Sequence, residues 1–300
     1  MLPSFPAFGL TIPMYGVMSA LGMLAAFVLL GFTRKQTRFS EDQALSAALW
    51  AIILGFLGSK ILFWLVEIKQ IIADPGYLLH TLREGFVFYG ALIGGLGGIA
   101  IYALRKKLPF FSLTDYFIPA LVLGHAFGRI GCLFAGCCYG MECVSPISIV
   151  FPAGSAAPAG VPLLPTQLME SAFLFLLCAF LVWRLTKKKP FGTISGWYMV
   201  LYGVWRFTIE FFRRDERGFV GALSTSQFIS IFVVLGGAAL LLLVKTGVLK
   251  KTVLDLPIPA EEESEKKPKK GEEAQETAPE SETKPEEPKA EAGDETEEKE

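Results

Sequence analysis

Two sets of residues in this sequence have the types and spacing to do chemistry together. Tyr202, Arg206, Glu210 and Arg213 recur at i, i+4, i+8 and i+11, one stripe of an α-helix. His125, Arg129 and Cys132 recur at i, i+4 and i+7, a second stripe. Arg206 and Glu210 can pair along their helix, as residues four apart do. A guanidinium is always charged and presents a planar fork of donors that matches phosphate. Two arginines against few acids leave positive charge over, which points to a bound anion. The plainer alternative is a structural ion pair with Glu210 or Glu170. In a membrane, the abundant phosphate is a lipid headgroup.

The composition supplies that membrane. The 300 residues carry a formal net charge of −1 and are 19% charged, but the average joins two different materials. Residues 261–300 hold 17 acidic residues, 7 basic ones and no aromatic, whereas residues 1–260 hold 12 acidic and 21 basic residues. A soluble domain is about one quarter charged. The first 260 residues fall well below that, with their charges clumped between long apolar runs, and read as a polytopic membrane domain. The tail 261–300 cannot bury enough apolar surface to fold and reads as a disordered, acidic cytosolic extension with no part in catalysis.

A helix needs about 20 mostly apolar residues to cross the hydrocarbon core. Seven runs qualify, near 14–32, 45–66, 86–104, 113–133, 168–185, 195–212 and 224–244, so the expected fold is all-α with seven transmembrane helices. Four of the runs are impure: the second holds Lys60, the fourth Asp115, His125 and Arg129, the fifth Glu170, and the sixth Arg206 and Glu210. Ionisable side chains at membrane depth are costly unless paired or hydrated, which makes these functional candidates. Each has a plainer reading. Lys60 can be a phosphate ligand or a paired ammonium inside the packing, His125 a satisfied interior histidine, and Asp115 a helix-end acid favoured by the dipole. Gly90, Gly94 and Gly98, at four-residue spacing, read as tight helix packing, and Gly124, Gly128 and Gly131 admit a neighbouring backbone or a lipid chain.

Basic residues are retained on the cytoplasmic side, and alternate connections carry thirteen and five of them. The amino terminus is therefore expected outside and the carboxyl terminus inside. No Lys or Arg precedes the first apolar run, so it lacks the basic region of a cleaved signal peptide. The loop at about 136–165 faces outside, contains no basic residue, and is long for a connection between bundle helices. Its Phe151, Val161, Leu163 and Leu164 argue for a small folded extracytoplasmic cap. Four of the five cysteines, Cys132, Cys137, Cys138 and Cys143, lie within twelve residues at that face. A structural disulfide between 137 or 138 and either 132 or 143, free packed thiols, and metal or redox chemistry all remain open. The spacing lacks a CxxC knuckle.

Six segments in order resemble the phosphatidylglycerol–prolipoprotein diacylglyceryl transferases of bacterial membranes. They are Pro13-Met14-Tyr15-Gly16, Phe88-Tyr89-Gly90-Ala91-Leu92-Ile93-Gly94, Gly124-His125-Ala126-Phe127-Gly128-Arg129-Ile130-Gly131, Pro165-Thr166-Gln167-Leu168-Met169-Glu170, the run from Tyr202 to Arg213, and Leu223-Ser224-Thr225-Ser226-Gln227. The resemblance implies transfer of the diacylglyceryl group of phosphatidylglycerol to the lipobox cysteine thiol of a preprolipoprotein. A thioether forms, glycerol phosphate leaves, and no metal or other cofactor is used. It implies a multi-pass protein of the bacterial cytoplasmic (inner) membrane, with phosphatidylglycerol, signal peptides bearing a lipobox cysteine, and membrane lipids as partners, and no nucleic acid. Arg129 and Arg206 match the family's essential arginines, and Glu210 and Arg213 its supporting charges. Tyr89 joins Arg129, Arg206 and Glu210 as a catalytic candidate. Tyr15, His125, Tyr202, Gln167, Glu170 and Arg213, with both essential arginines, are the substrate-binding candidates. Three positions depart from the best-known members: Tyr89 stands where many have a histidine, Cys132 where an asparagine follows the arginine motif, and Cys137 where a glutamate is common. A phenol with a pKa near 10 stays protonated at neutral pH, so Tyr89 reads as a hydrogen-bond partner rather than a base.

Two other functions compete with this reading. A thiol-based membrane oxidoreductase would use Cys132, Cys137, Cys138 and Cys143, and a lipid-binding or transport protein would use the helices alone. The absence of an internal repeat or matched broken helices speaks against transport. Transfer of the same lipid group to a different thiol acceptor is a further alternative within the family.

Overall fold

The computed structural model describes residues 4–7, 10–82, 85–187, 189–215, 218–251 and 255–256. Arg83, Lys188 and Arg217, counted above among the loop charges, and the acidic tail lie outside the described residues. Seven long helices occupy the seven predicted runs. They are α1 (Met14–Thr37) and α2 (Glu41–Val66), followed after two short helices α3 (Ile68–Ala73) and α4 (Tyr77–His80) by α5 (Phe88–Lys106), α6 (Phe110–Ala135), α7 (Thr166–Leu185), α8 (Thr193–Ile209) and α9 (Thr225–Lys245). Six of the seven are long and apolar enough to cross a membrane. The exception is α8, whose 17 residues give way to a three-residue 3-10 turn, Glu210–Phe212. The expected sixth span thus reaches its length only with that tighter turn. Leu104, Phe32 and Leu176 are more than 70% exposed on helix faces, as lipid-facing side chains are.

Local chemistry sets the helix boundaries. α2 begins four residues before the apolar run because Ser40 and Gln43 form a capping box: Ser40 Oγ accepts from the Gln43 amide at 3.1 Å and Gln43 Oε1 accepts from the Ser40 amide at 3.2 Å. Ser224 and Gln227 repeat the device at α9. α6 stops at Gly136, whose φ of 72° is the left-handed conformation that glycine adopts without strain.

The helices pack mainly as the pairs α2/α5, α1/α6, α8/α9 and α6/α7. Close approach explains the glycine rows. A side chain at Gly94 would strike the Leu54 carbonyl and one at Gly58 the Gly90 carbonyl, so α2 and α5 meet backbone to backbone. In the second row, Gly131 lies beneath the Tyr15 ring, whereas a Cβ at Gly128 would meet nothing within 4 Å.

Asp115 differs from its plainer reading. It sits in the second turn of α6, 5% exposed, and closes the start of α8 rather than of its own helix. Its oxygens accept from the Gly192 amide at 2.8 Å, the Ser195 amide at 2.8 Å and the Ser195 hydroxyl at 2.6 Å. A buried carboxylate there satisfies donors that a helix start otherwise leaves unpaired. Lys60 is likewise structural. It is buried, donates to the carbonyls of Thr81 and Gly85, and lies over the rings of Phe63, Trp64 and Phe86, which ties the α3–α4 segment to α2.

The connection between α6 and α7 is folded. Strands Ile149–Val150 and Pro162–Leu163 pair antiparallel over a small core of Leu133, Phe151, Ala157 and Leu163, with Val161 packed against it. Two further hairpins were not legible in the sequence: Ser4–Ala7 with Leu10–Pro13, and Phe219–Val220 with Leu223–Ser224.

Candidate functional site

Four helices converge on the two arginine stripes. On α6, Arg129 Nε donates to His125 Nε2 at 3.2 Å. Its Nη2 lies 3.0 Å from Glu170 Oε1 on α7, and Tyr202 on α8 donates its hydroxyl to the same carboxylate oxygen at 3.4 Å. On α8, Arg206 Nη1 lies 2.8 Å from Glu210 Oε2, the expected i, i+4 pair, and its Nη2 donates to Ser226 Oγ on α9 at 2.9 Å. His125 lies within electrostatic range of both guanidiniums, as does Tyr202, and their rings meet edge to face with centroids 5.5 Å apart. Each arginine side chain is 13% exposed, and the carboxylates of Glu170 and Glu210 are almost wholly buried.

Charge counting from sequence left positive charge over, but the structure gives each guanidinium an acid. The anion reading therefore rests on donors rather than on net charge. A guanidinium carries five N–H groups; Arg129 faces His125, Glu170 and Tyr202, and Arg206 faces Glu210 and Ser226, so neither set of partners uses all five. Glu170 and Glu210 orient the two forks, and the remaining N–H groups have the chemistry to donate to an anion.

The outer end of α6 and the cap complete the arrangement. Beyond Gly136 the chain folds back so that Cys137 and Cys138 return to Cys132, and the three sulfur atoms lie within 4.8 Å of one another. All the cysteines are free thiols. Cys143 stands apart, with its sulfur 3.2 Å from the Ser148 hydroxyl. The start of α7 pins the turn: Thr166 Oγ1 donates to the Cys138 carbonyl and Gln167 Nε2 to the Cys137 carbonyl, each at 2.7 Å. Gln167 Oε1 is buried with no hydrogen-bond partner among the described residues. The segment after α8 then pairs with the cap, with Met141 N–H donating to the Phe212 carbonyl at 2.8 Å and Arg214 N–H to the Tyr139 carbonyl at 3.2 Å. This pairing sets Arg213 beside Cys138. Hydrogen bonding from Cys132 and then Cys137, with the guanidiniums of Arg213 and Arg129 beyond them, holds the Cys138 thiol below the usual thiol range.

Of the residues singled out from sequence, Arg129, Arg206, Glu170, Glu210, His125 and Tyr202 form one cluster. Tyr15 reaches its edge, packed on Gly131 and within electrostatic range of Arg129, Cys132 and Cys137. Gln167 joins through the cysteine turn. Arg213 is near, but it is held by both oxygens of Asp215, at 2.8 and 3.1 Å. Tyr89 stands apart: it is 40% exposed and packs edge-on against Phe88, and no hydrogen bond or ion pair joins it to the cluster among the described residues. Sequence reasoning missed Ser226 and Asp215. Asp215 was visible two residues after Arg213, and Ser226 inside a capping-box motif, but neither spacing announces an arginine partner.

An apolar groove of about 270 Å³ runs between α8 and α9 at the level of Arg206, lined by Val204, Phe207, Thr208, Ser230, Ile231, Val234 and Leu235.

A family model described as prolipoprotein diacylglyceryl transferase matches residues 3–243. Phosphatidylglycerol–prolipoprotein diacylglyceryl transferase 2 of Clostridium perfringens (strain 13 / Type A) is 48% identical over 233 residues, covering 78% of this chain and 91% of the relative. The phosphatidylglycerol–prolipoprotein diacylglyceryl transferase of Clostridium tetani (strain Massachusetts / E88) is 44% identical over 233 residues, covering 78% and 93%. The protein of that name from Dehalococcoides mccartyi (strain ATCC BAA-2266 / KCTC 15142 / 195) is 35% identical over 234 residues, covering 77% and 88%.

Proposed function

The chain belongs to the prolipoprotein diacylglyceryl transferase family, and from that premise we propose how its residues move the diacylglyceryl group of phosphatidylglycerol to a prolipoprotein. It is a multi-pass membrane transferase. The acceptor is the lipobox cysteine thiol of the signal peptide, the products are a thioether and glycerol phosphate, and the site opens to the extracytoplasmic half of the bacterial cytoplasmic membrane. The excess of basic residues at the opposite helix ends supports that orientation. Residues 1–260 are the catalytic domain, and the tail 261–300 is dispensable to it.

The observation that carries the reading is the convergence of Arg129 and Arg206, from two helices, around His125 and Tyr202 in the buried interior of the helix bundle. Displacement at a carbon bearing a phosphodiester places growing negative charge on the departing phosphate. Donors fixed in a low-dielectric site stabilise that charge most, by about 3–4 kcal/mol for one key donor. Arg129 and Arg206 are those donors, and Glu170, Glu210 and Ser226 hold them in place. His125, bonded to Arg129, and Tyr202, bonded to Glu170, line the phosphate pocket. The groove between α8 and α9 takes an acyl chain. Gln167, with an unused carbonyl oxygen, and Tyr15 face the incoming peptide, and Arg213 guards the outer edge. Tyr89, away from the cluster, acts on the peptide by hydrogen bonding rather than at the reacting carbon.

The test is reconstitution. Full-length protein in phosphatidylglycerol vesicles, given a lipobox peptide, yields a lipopeptide whose mass increases by one diacylglyceryl group and resists thioester-cleaving hydroxylamine. A folded preparation that yields none overturns the reading.

A further inference from the structure

The reading above leaves the ionisation of the acceptor thiol unexplained. Near neutral pH a free thiol with a pKa of about 8.5 is mostly protonated, and only the thiolate attacks carbon well. The chain offers a group suited to this need that the proposed transfer does not use, the three sulfurs of Cys132, Cys137 and Cys138 within 4.8 Å of one another.

The cluster is built rather than incidental. Cys138 has a φ of 63°, a left-handed conformation uncommon for a residue other than glycine. The buried Thr166 and Gln167 hold the turn through the carbonyls of Cys138 and Cys137. The last carbonyls of α6, the negative end of the helix dipole, lie at the same place. All three thiols are partly exposed, so an ion can reach them. Zn²⁺ prefers tetrahedral thiolate coordination with bonds of about 2.3 Å, which sets neighbouring sulfurs about 3.8 Å apart. A contraction of about 1 Å brings this cluster to that geometry, within the reach of side-chain rotation. Among the described residues no fourth Cys, His, Asp or Glu completes the group. Three protein ligands with an open position is the pattern of a catalytic zinc site rather than a structural one. Arg129 acts electrostatically on Cys132 and Cys138, and Arg213 on Cys138, so the cations that flank the lipid phosphate also offset the net −1 of a Zn²⁺ with three thiolates.

We propose that Cys132, Cys137 and Cys138 bind one Zn²⁺ as thiolates and that its fourth position takes the acceptor thiol of the prolipoprotein, presenting it as a metal-bound thiolate to the lipid held by Arg129 and Arg206. This rests on the transfer reading above. The step is redox-neutral. The incoming thiol displaces water from the ion and releases its proton to solvent. Its sulfur lone pair forms the S–C bond to the glyceryl carbon, and the C–O bond to phosphate breaks with its electron pair on the departing glycerol phosphate. The product thioether is neutral and a weak ligand, so it leaves the ion to water. The family resemblance implies transfer without a metal, so the ion would be particular to chains that carry this trio, in which Cys132 stands where the best-known members have an asparagine and Cys137 where a glutamate is common among them.

The test uses the full-length protein, purified reduced and without oxygen, and Co²⁺ as the spectroscopic substitute for Zn²⁺. The proposal expects one zinc per chain by elemental analysis and an intense thiolate-to-cobalt charge-transfer band on substitution. Cys132→Ser or Cys138→Ser removes the band and Cys143→Ser retains it. A lipobox peptide with its cysteine changes the cobalt spectrum, whereas the same peptide with serine does not. Removing the metal lowers kcat at least tenfold and leaves the KM for phosphatidylglycerol within twofold, and Zn²⁺ restores the rate. Wild-type protein with no stoichiometric metal and no cobalt–thiolate band, or with a disulfide among the three cysteines in their place, overturns the proposal without recourse to any variant. A cobalt spectrum indifferent to the thiol peptide, or metal-free protein at full rate, overturns the substrate-binding role. Failure of transfer itself separates cleanly, since no lipopeptide would form in either metal state while the cobalt spectrum still reports on the thiol.

Discussion

Replacing Arg129 with lysine preserves its charge and removes its fork. In the structure the guanidinium reaches two partners at once, His125 at 3.2 Å and the buried Glu170 at 3.0 Å, and still has N–H groups to turn toward a phosphate. A lysine ammonium is a compact point charge on one nitrogen. It would follow Glu170, because an unpaired buried carboxylate is the costlier alternative, and the phosphate would lose a fixed donor. The loss of one preorganised donor in a water-poor site is about 3–4 kcal/mol, which at 1.36 kcal/mol per decade is a fall in turnover of about 10²–10³-fold. Lysine is a cleaner choice than alanine, which would leave Glu170 buried without its cation and destabilise the fold by about 3–5 kcal/mol. The assay is single-turnover lipopeptide formation in phosphatidylglycerol vesicles, normalised to folded protein by thermal unfolding in detergent. A variant that unfolds normally and turns over within tenfold of wild type would show that charge alone suffices and that the fork of Arg129 is not the donor to the phosphate.

Asp115→Ala strips three hydrogen bonds from the start of α8 and should destabilise the protein by about 2–3 kcal/mol, read as a lowered unfolding midpoint, while the fraction that remains folded keeps its turnover. Gly94→Val drives a branched side chain into the Leu54 carbonyl and should cost about 1–3 kcal/mol by overpacking; an unchanged midpoint would contradict the backbone contact between α2 and α5. Lys60→Met loses the bonds to Thr81 and Gly85 and should speed proteolytic nicking between α2 and α5 without moving the KM for phosphatidylglycerol more than twofold; a large KM change would return Lys60 to the phosphate. Truncation before Glu261 should leave lipopeptide formation at the wild-type rate.

The helices were legible because a membrane makes them so: length, apolarity and the clumping of basic residues mark where each one runs, whereas the start of α2 at the Ser40 capping box lay four residues before the apolar run. The clustering of Arg129 and Arg206 was legible as well, since helical spacing puts each on a stripe with other polar residues. Partners across helices were not. Nothing in the spacing of Glu170 or Ser226 says which arginine either will hold, because that depends on how α6 and α9 rotate against α7 and α8. The same limit applied to Asp115, which local sequence assigned to its own helix and packing assigned to the next. The cysteines showed the limit most clearly. Four within twelve residues left several pairings open, and only the turn at Gly136, with the left-handed Cys138, selects three and leaves out Cys143.

The proposed transfer requires Arg129 and Arg206 to share one lipid phosphate. Electron cryomicroscopy of the full-length protein in phosphatidylglycerol nanodiscs tests it directly. Headgroup density is expected between the two guanidiniums, within hydrogen-bonding distance of both, with an acyl chain running into the groove between α8 and α9. Ordered phosphatidylglycerol whose phosphate touches neither arginine would contradict it.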